Sequence, residues 1–209
     1  MWGFIKTRLV PLFLVVAALA CVAGVGLLQE FEDDEIPALC TRVGVALPLT
    51  DPRLEVSTLR GVLELWDGDV RIKVYDCAFG EDGAFNRTAA GRPSTPLGEF
   101  RIVEKQVRED VLARGPRFLR LDYPDLDAAD RGLSDGLLTA EHYDAIRTAA
   151  AAGLPTPVDT PLGGPLGIQG NWFFWRPRHF TDGSIALANA DLNELFRHVP
   201  IGTPVIVRE

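Results

Sequence analysis

Histidine and cysteine are scarce in this chain: its 209 residues hold three of each. No group of them, with or without acidic residues, has the spacing of metal ligands. Neither a metal nor any other cofactor is therefore expected. Excess positive charge is missing as well. There are 29 Asp and Glu against 21 Lys and Arg, a net charge of −8. Lys6 and Arg8 are the only charges before residue 29, so residues 29–209 carry −10. That balance excludes nucleic acid and an anionic membrane surface as partners of this part of the chain. Internal repeats are absent, and the longest low-complexity run is Ala149–Ala152, which excludes a repeat architecture.

What is present is apolar material: 47% of residues are hydrophobic, enough for one real core. Residues 9–28 form an uncharged run of 20, just long enough to cross a bilayer as a helix. Lys6 and Arg8 precede it, and Glu30, Glu32, Asp33, Asp34 and Glu35 follow it. The bias of basic residues places the N-terminus in the cytoplasm and the rest outside. The run reads as a single-pass anchor in the cytoplasmic (inner) membrane, with a long signal peptide as the alternative. Cys21 fits a lipoprotein site poorly, because apolar sequence continues beyond it. Three parts are expected: the membrane segment 1–28, an acidic linker and extension 29–60, and a folded domain 61–209. A disulfide between Cys40 and Cys77 is permitted outside the cytoplasm. The sequence leans against it, since Cys77 reads as a small buried hydrophobe in a strand.

Clear patterning begins at Gly61. Val62–Trp66 and Val70–Tyr75 alternate apolar and polar residues around Asp67-Gly68, a strong hairpin signal. Pro96 and Gly98 mark a turn, and Phe100–Val103 continues as a strand. The Asp-rich stretch from Leu121 to Gly132 reads as loop, and 39–60 has no clean period. Thr139–Ala152 predicts a helix capped by Thr139 and ended by Gly153 and Pro155. A second helix is expected from about Ala190 to His198, with Asn189 as its N-cap. Thr203–Arg208 predicts a last strand. Strands dominate with helices at intervals, so the expected class is α+β, mostly β.

Four segments are specific. They are Thr95-Pro96-Leu-Gly98-Glu-Phe100-Arg-Ile102, Gly164-Pro-Leu-Gly-Ile-Gln169-Gly170, Thr181-Asp-Gly-Ser184-Ile-Ala-Leu-Ala-Asn189, and the closing Val199-Pro-Ile-Gly-Thr-Pro-Val205. Together with Tyr123-Pro124 and Leu162-Gly-Gly they resemble the L,D-transpeptidase (YkuD-type) catalytic domain. The branch concerned reads IGIHG, then W-T-x-G-C-I-A-L-x-N. The resemblance spans 61–208. It implies a β-rich domain and acyl transfer on peptidoglycan stem peptides, with a Cys nucleophile and a His base.

Here Ser184 stands at the nucleophile position and Gln169 at the base position. A glutamine amide hydrogen-bonds but takes up no proton near neutral pH. A hydroxyl depends on a base more than a thiol does. Both routes to a nucleophile are lost together, and the expected protein is a catalytically impaired homologue. It would bind peptidoglycan stem peptide or an envelope protein. Two alternatives stand: a Ser184-dependent acyl transferase or hydrolase, and a structural scaffold in an envelope complex.

Gly183 leaves room for backbone N–H groups to face an oxyanion. Among the histidines, His142 and His198 read as helix-surface residues. His179, five residues before Ser184, is the candidate substitute base. Gly170, Trp172, Arg178 and Thr181 are candidate substrate contacts. The run Trp172-Phe-Phe-Trp175 either lines a groove or caps the core. Arg176 and Arg178 either meet a stem-peptide carboxylate or are solvated.

Overall fold

Asp67-Gly68 turns the chain tightly, with Gly68 at a φ of +54°, and starts the sheet as the alternation at 62–75 requires. The structure is a computed structural model. It describes residues 35–84, 93–108, 115–171 and 178–209. In chain order these form α1 (Ile36–Val43), β1 (Pro52–Ser57), β2 (Val62–Asp67), β3 (Val70–Asp76), β4 (Phe79–Gly80), β5 (Gly98–Val107) and β6 (Arg117–Leu121). Then come α2 (Leu126–Ser134), α3 (Ala140–Ala151), β7 (Gly167–Asn171), β8 (His179–Thr181), β9 (Ile185–Ala188), α4 (Asn189–His198) and β10 (Pro204–Arg208). The fold is mostly β with four helices.

Eight strands form one sheet in the order β3-β2-β1-β10-β5-β6-β7-β9, and β4 pairs with β8 separately. Pairing is antiparallel except for β1 with β10 and β7 with β9. The last strand therefore returns to the middle of the sheet, between β1 and β5. Ala78 bridges Ala186 with two backbone hydrogen bonds, 2.9 and 2.8 Å, so the segment after β3 covers the outer edge of β9.

Several sequence expectations needed correction. Residues 36–43, within the stretch expected as acidic linker and unassigned extension, form helix α1. Ile36 and Cys40, four residues apart, are buried and Leu39 packs half-buried against the core, too short a pattern to read as a helical period. Gly44, at a φ of +77°, ends the helix. The Asp-rich loop contains α2. Asp125 caps it by accepting the Ala128 N–H at 2.9 Å, and Ala128, Ala129 and Gly132 are its buried side. Small residues packed this closely carry little hydropathy signal. Helix α4 starts one residue earlier than expected, with Ala188 at the cap position and no side-chain cap; Asn189 lies inside the helix. Cys77 falls between β3 and β4 rather than in a strand. It is a buried free thiol, as is Cys40.

The helix at 140–151 matches its expectation. Thr139 accepts the His142 N–H at 3.2 Å, and the His142 ring answers the Thr139 N–H at 3.4 Å. His142 is therefore a capping residue. The membrane segment 9–28 lies outside the described residues. Among the described residues no helix is long and apolar enough to cross a membrane.

Candidate functional site

Parallel pairing of β7 with β9 places Ile168 beside Ile185 and Gln169 beside Ala186. Side chains alternate along each strand. Ile168, Ile185 and Leu187 enter the core together with Leu192 and Leu195 of α4. Gln169 and Ala186 therefore take the opposite face, and Ser184, two residues before Ala186, opens the same row. Phe118 of β6 stands directly across from Gln169 on this face. The Arg108 guanidinium covers the Phe118 ring at 3.6 Å. The topology thus brings Gln169 and Ser184 to one face.

Both are nearly closed off, Gln169 at 4% exposure and Ser184 at 3%. The Gln169 Oε1 is buried and has no hydrogen-bond partner among the described residues. An amide oxygen desolvated in this way costs free energy until a donor arrives. Among the described residues no imidazole or carboxylate hydrogen-bonds the Ser184 hydroxyl, and no His/Cys/Asp/Glu group is arranged to hold a metal.

The turn before β9 is fixed from within. Thr181 Oγ1 accepts the Gly183 N–H at 3.2 Å and donates to the Ser184 carbonyl at 2.5 Å. Gly183 has a φ of +116°, which strongly favours glycine. Its own amide hydrogen-bonds inside the turn. Thr181 is buried and positions the loop; it presents no free hydroxyl for a ligand.

His179 lies on β8, exposed, with Phe79 as its register partner. Its Nδ1 is 3.2 Å from the Gly80 carbonyl, and its ring centroid is 6.2 Å from that of Phe79. A proton on Nδ1 donates to Gly80 and leaves Nε2 as the acceptor. Among the described residues no hydrogen bond joins His179 to Ser184. His198 is the last residue of α4.

Arg178 turns elsewhere. Its guanidinium packs on Gly61, where an added Cβ would lie 2.4 Å from Cζ, and it donates to the Leu59 carbonyl at 3.5 Å. Gly170 is buried beside Leu187. Trp172 and the rest of the aromatic run, with Arg176, lie outside the described residues.

Two contributors were not legible in the sequence. Thr95, quoted in the sequence only as the first residue of a family-like segment, accepts the Gly80 N–H at 2.9 Å through its buried hydroxyl. It thereby fixes the segment that covers β9. Gly80 itself cannot carry a side chain, since a Cβ would sit 2.1 Å from the Pro93 carbonyl oxygen. Phe118 was missed because its role depends on cross-strand register. Cys77, one residue from the Ala78 bridge, is not a hidden nucleophile. Burial pushes its thiol up to about 12, although Arg178 pulls the other way.

Residues 51–207 match the family model of the YkuD L,D-transpeptidase catalytic domain. The chain belongs to this family. Solved structures agree on the fold. The helical cell shape determining protein Pgp2 from Campylobacter jejuni superposes with a TM-score of 0.51 at 14% identity, over 85% of this chain and 56% of that one. Bd1075 from Bdellovibrio bacteriovorus gives 0.50 at 13%, over 78% and 49%. The L,D-transpeptidase of Xylanimonas cellulosilytica gives 0.45 at 12%, over 76% and 61%. The chain thus spans about half to three fifths of the length of these proteins. No curated protein matches the sequence. Gln169 and Ser184 both lie inside the span that matches the L,D-transpeptidase family model.

Proposed function

We propose that this protein is a membrane-anchored L,D-transpeptidase homologue of the extracytoplasmic side that binds peptidoglycan stem peptide, or an envelope partner presenting similar peptide, without carrying out acyl transfer. Residues 9–28 anchor it in the cytoplasmic membrane. The observation that carries the reading is the Gln169 side chain: a buried amide with an unpartnered end on the face that also bears Ser184. A peptide bond supplies both a donor and an acceptor, so it satisfies the Gln169 amide in either orientation. Ser184 meanwhile has no base hydrogen-bonded to it among the described residues, and the Gly183 amide is held by Thr181. Recognition groups are kept, while the groups that move protons are lost.

The deciding experiment is turnover of a tetrapeptide muropeptide by the natural protein beside the Gln169→His/Ser184→Cys double variant. Binding of the same peptide is measured calorimetrically in parallel. Binding without turnover by the natural protein, with turnover by the double variant, is expected. Turnover by the natural protein that Ser184→Ala abolishes would replace this reading with a serine acyl transferase or hydrolase. The His179 contact to Gly80 favours that second reading, because it leaves Nε2 as a free acceptor. Neither binding nor turnover by either protein would leave an envelope scaffold.

A further inference from the structure

Glu194 is fully buried on α4, at 0% exposure, and takes no part in the site. Its Oε1 accepts the backbone N–H groups of Glu35 and Ile36 at 2.5 and 2.9 Å. Its Oε2 accepts from Lys73 Nζ at 2.8 Å and Tyr75 Oη at 3.0 Å. Glu35 lies at the cap position of α1 but makes no side-chain cap of its own. The first N–H groups of α1 are therefore satisfied by a carboxylate 158 or 159 residues further along the chain. A negative charge at a helix N-terminus is favourable, and here it is also desolvated.

Beyond these hydrogen bonds α1 is held by Ile36 and Cys40, which are buried, and by Leu39, which packs half-buried against the core. Apart from Ile36 and Cys40 its side chains are exposed or half-buried. An isolated eight-residue helix is unstable in water, so α1 depends on what clasps it. We propose that α1 is a strap which Glu194 latches to the domain, and that the latch tightens as the surroundings acidify.

The pH response follows from the charges around Glu194. On α1 these are Glu35 and Arg42, with Cys40 uncharged beneath. On β3 they are Lys73, Tyr75 and Asp76, and on α4 Asp191. Lys73 pairs with Glu35 at 2.9 Å and with Glu194 at 2.8 Å. Glu35 and Glu194 thus share one half-buried ammonium. Burial disfavours the Lys73 charge, but hydrogen bonds and charge from Glu194 and Glu35 outweigh it and raise its pKa. Asp191 sits one helical turn from Glu194, on the same side of α4, and competes for Lys73 while repelling Glu194. Burial first, then Glu194, Asp76 and Glu35, push Asp191 up to about 6, against the pull of Lys73. Its protonation removes one negative charge from the cluster and leaves the Glu194 contacts whole.

Hydrogen exchange of the full chain in detergent, at pH 5 and pH 7.5 and corrected for intrinsic rates, tests the latch. Amides of 36–43 are expected to be about three- to tenfold better protected at pH 5. Asp191→Asn should show the higher protection at both pH values. Glu194→Gln should lower protection of 36–43 while β5 and β6 stay as in the natural protein. A natural chain whose 36–43 protection ignores pH overturns the proposal. So does an Asp191→Asn chain that keeps the natural pH response. If Glu194→Gln unfolds sheet and α1 together, α1 is an integral core helix and the strap is wrong.

Discussion

Thr181 and Gly183 are joined by a hydrogen bond, the glycine N–H donating to the threonine hydroxyl at 3.2 Å. The same hydroxyl closes onto the Ser184 carbonyl at 2.5 Å. One side chain thus fixes three consecutive backbone units before β9. Thr181→Val keeps the shape and removes both bonds, leaving a buried N–H and a buried C=O unpaired. A loss of about 1–3 kcal/mol is expected, read from urea denaturation. A variant as stable as the natural protein would show that the turn is held by something else.

Gly80→Ala should be costly although its backbone is ordinary. The new methyl meets the Pro93 carbonyl oxygen at 2.1 Å, and backbone cannot swing aside as a side chain can. About 1–3 kcal/mol of overpacking strain is expected, with loss of the cover that Thr95 fixes over β9. The check is the melting temperature of Gly80→Ala beside the natural protein; equal values would contradict the close approach at Gly80.

Cys40 and Cys77 should be silent toward thiol reagents in the folded protein. Both are buried, and burial raises the pKa of each. In a Cys21→Ser background, no fast-reacting thiol is expected under native conditions and two after unfolding. Rapid native labelling of Cys77 would mean that its neighbourhood is open and its thiolate accessible.

Stability should fall as pH rises between about 4 and 6. Asp191 binds its proton more tightly in the fold, about 6 against an ordinary 3.8. Over that interval the native state holds more protons than the unfolded chain, so deprotonation penalises the fold. Asp122 and Asp125, also raised by burial, act in the same direction. Asp191→Asn should match the natural protein near pH 4 and exceed it above pH 7. The gain is at most about 3 kcal/mol from the shift and about 1 kcal/mol after solvent screening of this partly exposed group. Urea melts at pH 4 and pH 7.5 decide it: a gain that does not grow with pH excludes the mechanism.

The sequence by itself determined the frame. The Asp67-Gly68 hairpin, the Thr139 cap, the closing strand and the glycine-rich segments are local signals. Turn geometry, capping and alternation act within a few residues, so they can be read without a fold. It also singled out Gln169 and Ser184, since motif spacing is a property of the chain. Only the tertiary structure decided what those residues face. Phe118 beside Gln169, Thr95 beneath Gly80 and Glu194 capping α1 join segments 15 to 159 residues apart, and such contacts are set by strand register and helix docking. Helices α1 and α2 were hidden for a related reason: two fully buried side chains in a single short helix and small residues in the other give too weak a period to read, yet suffice once a sheet is there to pack against.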